Sequence, residues 1–267
     1  MNTEVLRQAL RTSRRTILGW TVGVAVFLVI NVATYPAVKG QAQYDDLMQD
    51  MPDAMLALFG IEADLSLTSP AGYLISQVFG FLLPMLFVFL AVSVGSRLLA
   101  SEEEAGTLDL LLALPVSRRR VAVEKFTAMI VVILVVGFAS WVTLAVSSPT
   151  VGLNAGLGAM AVGVLAAVLF GVQSGALALG VGAAFGRRAP AIAVASVVAI
   201  AGFLLESLAE IADVLKPVRW LGPFHFVNGN TPMLHGLRAL DVAVLVGLAL
   251  AAAWAGLWAF ERRDLGT

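Results

Sequence analysis

The sequence predicts an all-α membrane protein with six transmembrane helices, and three observations carry that expectation. Apolar residues make up 59% of the chain and charged ones 13%, against roughly 45–50% and about 25% in soluble domains. The charges gather at the ends of long apolar runs, leaving the middle of each run uncharged. Of seventeen lysines and arginines, all but Lys39, Lys216, Arg219 and Arg238 fall on one side of a six-span topology. That bias marks the cytoplasmic side and puts both termini there. The whole of 1–267 then reads as one transmembrane domain.

Residues 1–15 place Val5, Leu6, Ala9 and Leu10 opposite a set of arginines, as an interfacial amphipathic helix does; an ordinary positive flank has the same composition. The uncharged run that follows, Thr16 to Val38, is 23 residues long. That is too long for a signal-peptide core and long enough to span, so the first helix is expected at 17–38. An acidic loop over 39–70 belongs outside, and within it MPDAMLALFGI suits a short helix resting on the outer surface. The second span is expected at 72–95, kinked near Pro84.

Between Phe126 and Gly186 lie 61 uncharged residues, about 90 Å of helix at ~1.5 Å per residue. Basic residues at both ends require an even number of crossings, so two spans are expected, 126–146 and 157–184, joined through SSPTVGLNAG on the outer side. The fifth span covers 190–208 and ends in Glu206, Glu210 and Asp213, which emerge outside or line a wet cavity. Prolines and aromatics between 214 and 238 suit short helices in the outer leaflet. The last span occupies 241–260.

The insert at 97–125 stands apart. Ser101 and Glu104 have the spacing of a capping box, and Glu102 and Glu103 suit the positive end of a helix, which predicts a helix starting at Ser101. Ala105, Leu108, Leu111 and Leu112 share one face, Thr107 and Asp109 lie off it, and Pro115 stops the run. The expected product is a short helix along the cytoplasmic surface, with Arg118, Arg119, Arg120 and Lys125 behind it.

Several classes of chemistry are excluded. The chain has no cysteine, so it has no disulfide, thiolate metal site or cysteine nucleophile. His225 and His235 lack metal-ligand spacing, and no metal is expected. No phosphate loop or G-x-G-x-x-G appears, so hydrolysis of nucleotide by this chain is not expected, and neither H-E-x-x-H nor G-x-S-x-G is present. Basic residues form no face with interleaved aromatics, which argues against nucleic acid. Within the spans the polar residues that stand out are Asn31, Gln77, Gln173 and Ser174, candidates for a translocation path or for helix packing. Gly171 and Gly175 bracket the last two, and that small-residue spacing favours packing.

The stretch from Glu102 to Lys125, E-E-E-A-G-T-L-D-L-L-L-A-L-P-V-S-R followed by E-K, resembles the cytoplasmic segment between the second and third spans of ABC-2 type transporter permeases. The run PFHF at 223–226 is similar to an outer-loop element of the same family. The resemblance implies a six-span exporter permease, working as a homodimer or heterodimer with a second permease subunit. A separate ABC ATP-binding subunit would bind ATP and Mg²⁺. It implies that Glu102, Glu103, Glu104, Gly106, Thr107, Leu108, Leu111 and Pro115 form the coupling element, with Arg118 and Arg119 at its exit, and it places Asn31 near the path. Fourteen arginines against three lysines, with abundant Ala, Gly and Val, point to a GC-rich bacterial genome and hence to the bacterial inner membrane. The alternative is a membrane scaffold or assembly factor that docks a partner and transports nothing. Drugs, lipids or peptides suit uncharged spans as cargo.

Overall fold

The computed structural model describes residues 4–41, 66, 68–106 and 117–263. Among them no strand occurs, and six helices are long and apolar enough to cross a membrane. In chain order the helices are α1 (Glu4–Thr12), α2 (Arg14–Val38), α3 (Pro70–Glu104, with two π-helical turns), α4 (Arg118–Ser147), α5 (Leu157–Phe185) and α6 (Arg188–Ala209). A 3₁₀ segment (Asp213–Leu221) and the short α7 (His225–Asn228) and α8 (Pro232–His235) lead to α9 (Ala239–Arg262). The expected helix within 51–61 lies outside the described residues.

Two of the six long helices form the centre. In the apolar stretches of α3 and α5, 72% of residues are buried, against 17% in α2 and α9; the outer helices therefore turn most of their side chains toward lipid or other protein. Helix α5 packs against α3, α4, α6 and α9. Since lipid tails are as apolar as leucine, such helices associate through close contact rather than through escape from water. Glycines supply that contact. A Cβ on Gly171 would lie 3.0 Å from the Phe87 carbonyl oxygen, and one on Gly175 3.0 Å from the Ala91 Cβ. On its other side α5 meets α9 at Gly180 and Gly256, where a Cβ on Gly256 would lie 3.0 Å from the Gly180 carbonyl oxygen.

Helix α3 breaks near Pro84, as the sequence predicts, and departs from expectation at its C-terminal end. Its interruption falls at Gly80 and Phe81, after the π-turn Ile75–Phe79, and the helix resumes at Leu82. Pro84 thus sits in the first turn after the break, where a missing N–H is tolerated. The carbonyl that a residue at 84 would otherwise serve is that of Gly80, and the Asn228 side chain donates to it at 3.2 Å. At the other end no helix starts at Ser101. Ser101 is helical (φ −70°, ψ −30°) and its side chain makes no capping bond. The second span runs on through a π-turn, Arg97–Ser101, to Glu104, and the chain leaves the helix at Gly106 (φ +67°). The capping pattern is a local signal; here the helix already formed by the preceding apolar residues overrides it.

Candidate functional site

The three consecutive glutamates at the end of α3 each reach a different helix. Glu102 pairs with Lys125 of α4. Glu103 pairs with Arg263, just past α9. Glu104 accepts from the backbone N–H of Arg188, the first residue of α6, at 2.8 Å. One turn of helix thus ties α3 to α4, α6 and α9 at the end of the bundle where α1 also lies, with Leu6 N–H donating to the Glu124 carboxylate at 2.9 Å.

Lys125 is the least expected member. A lysine ahead of an apolar span reads as a solvated flank, yet its side chain is 2% exposed. Its ammonium donates to Glu102 and to the backbone carbonyl of Leu98, inside the π-turn. A π-turn disturbs the regular ladder of backbone bonds, and such turns gather at functional positions. The buried charge has both a carboxylate and a carbonyl, the condition under which burial of an ammonium is tolerated.

Arg263 adds a further link by donating to the Ala183 carbonyl at 3.3 Å. Its own backbone carbonyl accepts from Arg118 at 2.8 Å, and Arg118 also reaches the Phe260 carbonyl at 3.3 Å. Gly186, which ends α5, makes the space: its φ of +64° is left-handed, and a Cβ there would collide with the Glu103 carboxylate and the Arg263 guanidinium. Two buried atoms of the junction, Glu103 Oε2 and Arg188 Nε, make no hydrogen bond. Of the other expected coupling residues, Gly106 ends the helix and Arg119 is exposed, while Thr107, Leu108, Leu111 and Pro115 lie outside the described residues.

The polar residues of the spans are not gathered into one site. The Asn31 side-chain amide donates to the Phe27 carbonyl of its own helix at 2.9 Å, and the Asn31 backbone carbonyl accepts from the Tyr73 hydroxyl at 2.7 Å. Gln77 is exposed on the π-turn of α3, and Gln173 and Ser174 are buried in α5 and bonded to each other at 3.3 Å. Among the described residues no hydrogen bond joins Asn31, Gln77 and Gln173.

At the opposite end, the PFHF run is a clasp. Phe224 meets Phe170 of α5 and Phe203 of α6 edge-on, with ring centres 5.6 and 5.3 Å apart, and Pro223 lies against Gly202. His225 Nδ1 lies 2.9 Å from both carboxylate oxygens of Glu206. Glu206 reads in sequence as a residue entering water, but it is 8% exposed. An acid in the last turn of an apolar helix, with a histidine 19 residues on, is the signal that could have paired them.

No curated protein matches this chain. The family model described as ABC-2 family transporter protein matches residues 4–265, so the chain belongs to that family and is a transmembrane component of a transporter.

Proposed function

We propose that the chain is the permease subunit of an ATP-driven exporter in a bacterial inner membrane. Its insert docks a separate ATP-binding subunit, which binds ATP and Mg²⁺, and a second permease, identical or related, completes the path. Both termini and the glutamate junction are cytoplasmic. The observation that carries this is the attachment of Glu102, Glu103 and Glu104 to three different helices. Residues 107–116 connect that junction directly to the start of α4, so a push on the insert acts on α3 and α4 together and, through Arg263 and Arg188, on α9 and α6. The two unbonded buried atoms, Glu103 Oε2 and Arg188 Nε, are an acceptor and a donor that a rearranged junction could use, as a two-state joint needs. The absence of any phosphate loop in the sequence fits an engine on another polypeptide.

Co-expression with an ATP-binding subunit and reconstitution into vesicles tests this. The pair should co-purify and move amphipathic cargo with ATP. Glu103→Ala should leave insertion and co-purification intact while ATP turnover continues without flux. Full transport by a chain lacking 101–116 would sink the proposal, and partner binding without any flux would make the chain a scaffold.

A further inference from the structure

Helices α2 and α3 are pinned together at one end and apart at the other. Near the α2 C-terminus Tyr73 donates to Asn31, and the Tyr35 and Tyr73 rings lie 5.1 Å apart. Toward the α2 N-terminus the two helices diverge around a cleft of about 560 Å³, open on one side, which extends from Arg15 to Phe27 on α2 and from Leu86 to Arg97 on α3. That volume lies within the range of about 300–1,000 Å³ typical of small-molecule sites.

The lining is graded. Arg15 and Arg97 stand at the mouth with Thr16 and Ser93 nearby, and the deeper wall is apolar, with Val24, Phe27 and Leu86. Both arginines are exposed, and neither forms an ion pair among the described residues. Gly19 and Gly23 face the cleft, and a Cβ on either would meet nothing within 4 Å. These glycines therefore differ from those of α5, which serve helix contact: they hollow the wall. From Arg15 to Phe27 the cleft runs about 18 Å at ~1.5 Å per residue, close to the ~15 Å depth of one leaflet's hydrocarbon.

We propose that this cleft is a binding site for one anionic phospholipid of the leaflet that holds the N-terminal helix, its phosphate between Arg15 and Arg97 and an acyl chain along Gly19, Gly23 and Phe27. The charge at the mouth selects the headgroup, and the depth matches a single tail. Neither feature depends on the docking of an ATP-binding subunit.

The test uses the full chain in nanodiscs of phosphatidylcholine containing a minor share of phosphatidylglycerol, then gentle detergent extraction and native mass spectrometry of the retained lipid. Phosphatidylglycerol should be retained preferentially. Arg15→Gln with Arg97→Gln should cut that preference on the order of tenfold or more, since each arginine at an anionic headgroup is worth a factor of about five. The lysine pair, Arg15→Lys with Arg97→Lys, should keep most of it. Gly23→Leu fills open space, so it should preserve the thermal midpoint and lower retention of both lipids. Equal retention of the two lipids, or unchanged retention in the glutamine pair, overturns the proposal. So does a Gly23→Leu chain that loses self-association and keeps its lipid, because a second copy would then be the occupant.

Discussion

Glu103 and Arg263 pair across 160 residues of sequence, and the pair closes over Gly186, so the ends of α3, α5 and α9 meet at a single ion pair. Each side chain is about a quarter exposed, 24% for Glu103 and 23% for Arg263, which reduces but does not abolish its electrostatic worth. A double-mutant cycle with Glu103→Gln and Arg263→Gln should give a coupling energy of about 1 kcal/mol, toward the low end of contacting pairs. Gly186→Ala should cost more, ~2 kcal/mol or above, because left-handed backbone alone costs a residue with a Cβ about 1–2 kcal/mol and the collision with the pair adds to it. Thermal unfolding in detergent ranks the variants. A Gly186→Ala protein as stable as the parent would show that the ion pair does not need that space.

The pair formed by Lys125 and Glu102 should respond asymmetrically. The Lys125 side chain is 2% exposed and that of Glu102 is 38% exposed. Removing the carboxylate leaves a buried ammonium, whereas removing the ammonium leaves an acid that water can reach. Glu102→Leu is therefore expected to cost about 3–5 kcal/mol, and Lys125→Met about 1–3 kcal/mol, mainly for the Leu98 carbonyl left without its donor. The combination should recover most of the loss. Equal penalties from the two single changes would mean that Lys125 is hydrated in the protein.

Glycines on one helix should sort by what they touch. Gly256 of α9 lies against Gly180, whereas a Cβ on Gly247, on the same helix, would meet nothing within 4 Å. Gly256→Leu should destabilise by about 1–3 kcal/mol or more through overpacking, and Gly247→Leu should be neutral or slightly stabilising, since glycine is a poor helix former. Melting curves of the two variants, measured side by side, decide it. A neutral Gly256→Leu would remove the close α5–α9 contact.

These cases also show which features were legible in the sequence. Six spans could be read because a bilayer imposes a length on every uncharged run, and the requirement needs no partner residue. The helix start predicted at Ser101 does not form because a capping box is defined within four residues, while the turn that replaces it is held by Lys125, 27 residues from Leu98. Lys125 itself carries no local mark that separates a buried lysine from a solvated flank. The triple glutamate could be recognised as a cluster, but its three partners come from α4, α6 and α9, and only packing brings them together. Likewise Glu206 reads as an acid emerging into water until the loop returns His225 to it, 19 residues on.

The link between Asn228 and Gly80 gives the sharpest test of the fold, because its cause can be removed independently. Pro84 has no N–H to offer the Gly80 carbonyl, and Asn228 supplies a donor at 3.2 Å from α7, at the other end of the sequence. Asn228→Ala should cost about 1–3 kcal/mol, the penalty for a buried acceptor left without a partner. Pro84→Ala alone should change little, since the proline sits in a first turn where its ring is tolerated. In the double variant the new alanine N–H can turn toward Gly80 and close the break at Phe81, so part of the Asn228→Ala loss should return. Thermal unfolding of the two single variants and the double variant in the same detergent measures that recovery. If the penalties simply add, Asn228 stabilises the bundle by some contact other than the carbonyl that Pro84 leaves open.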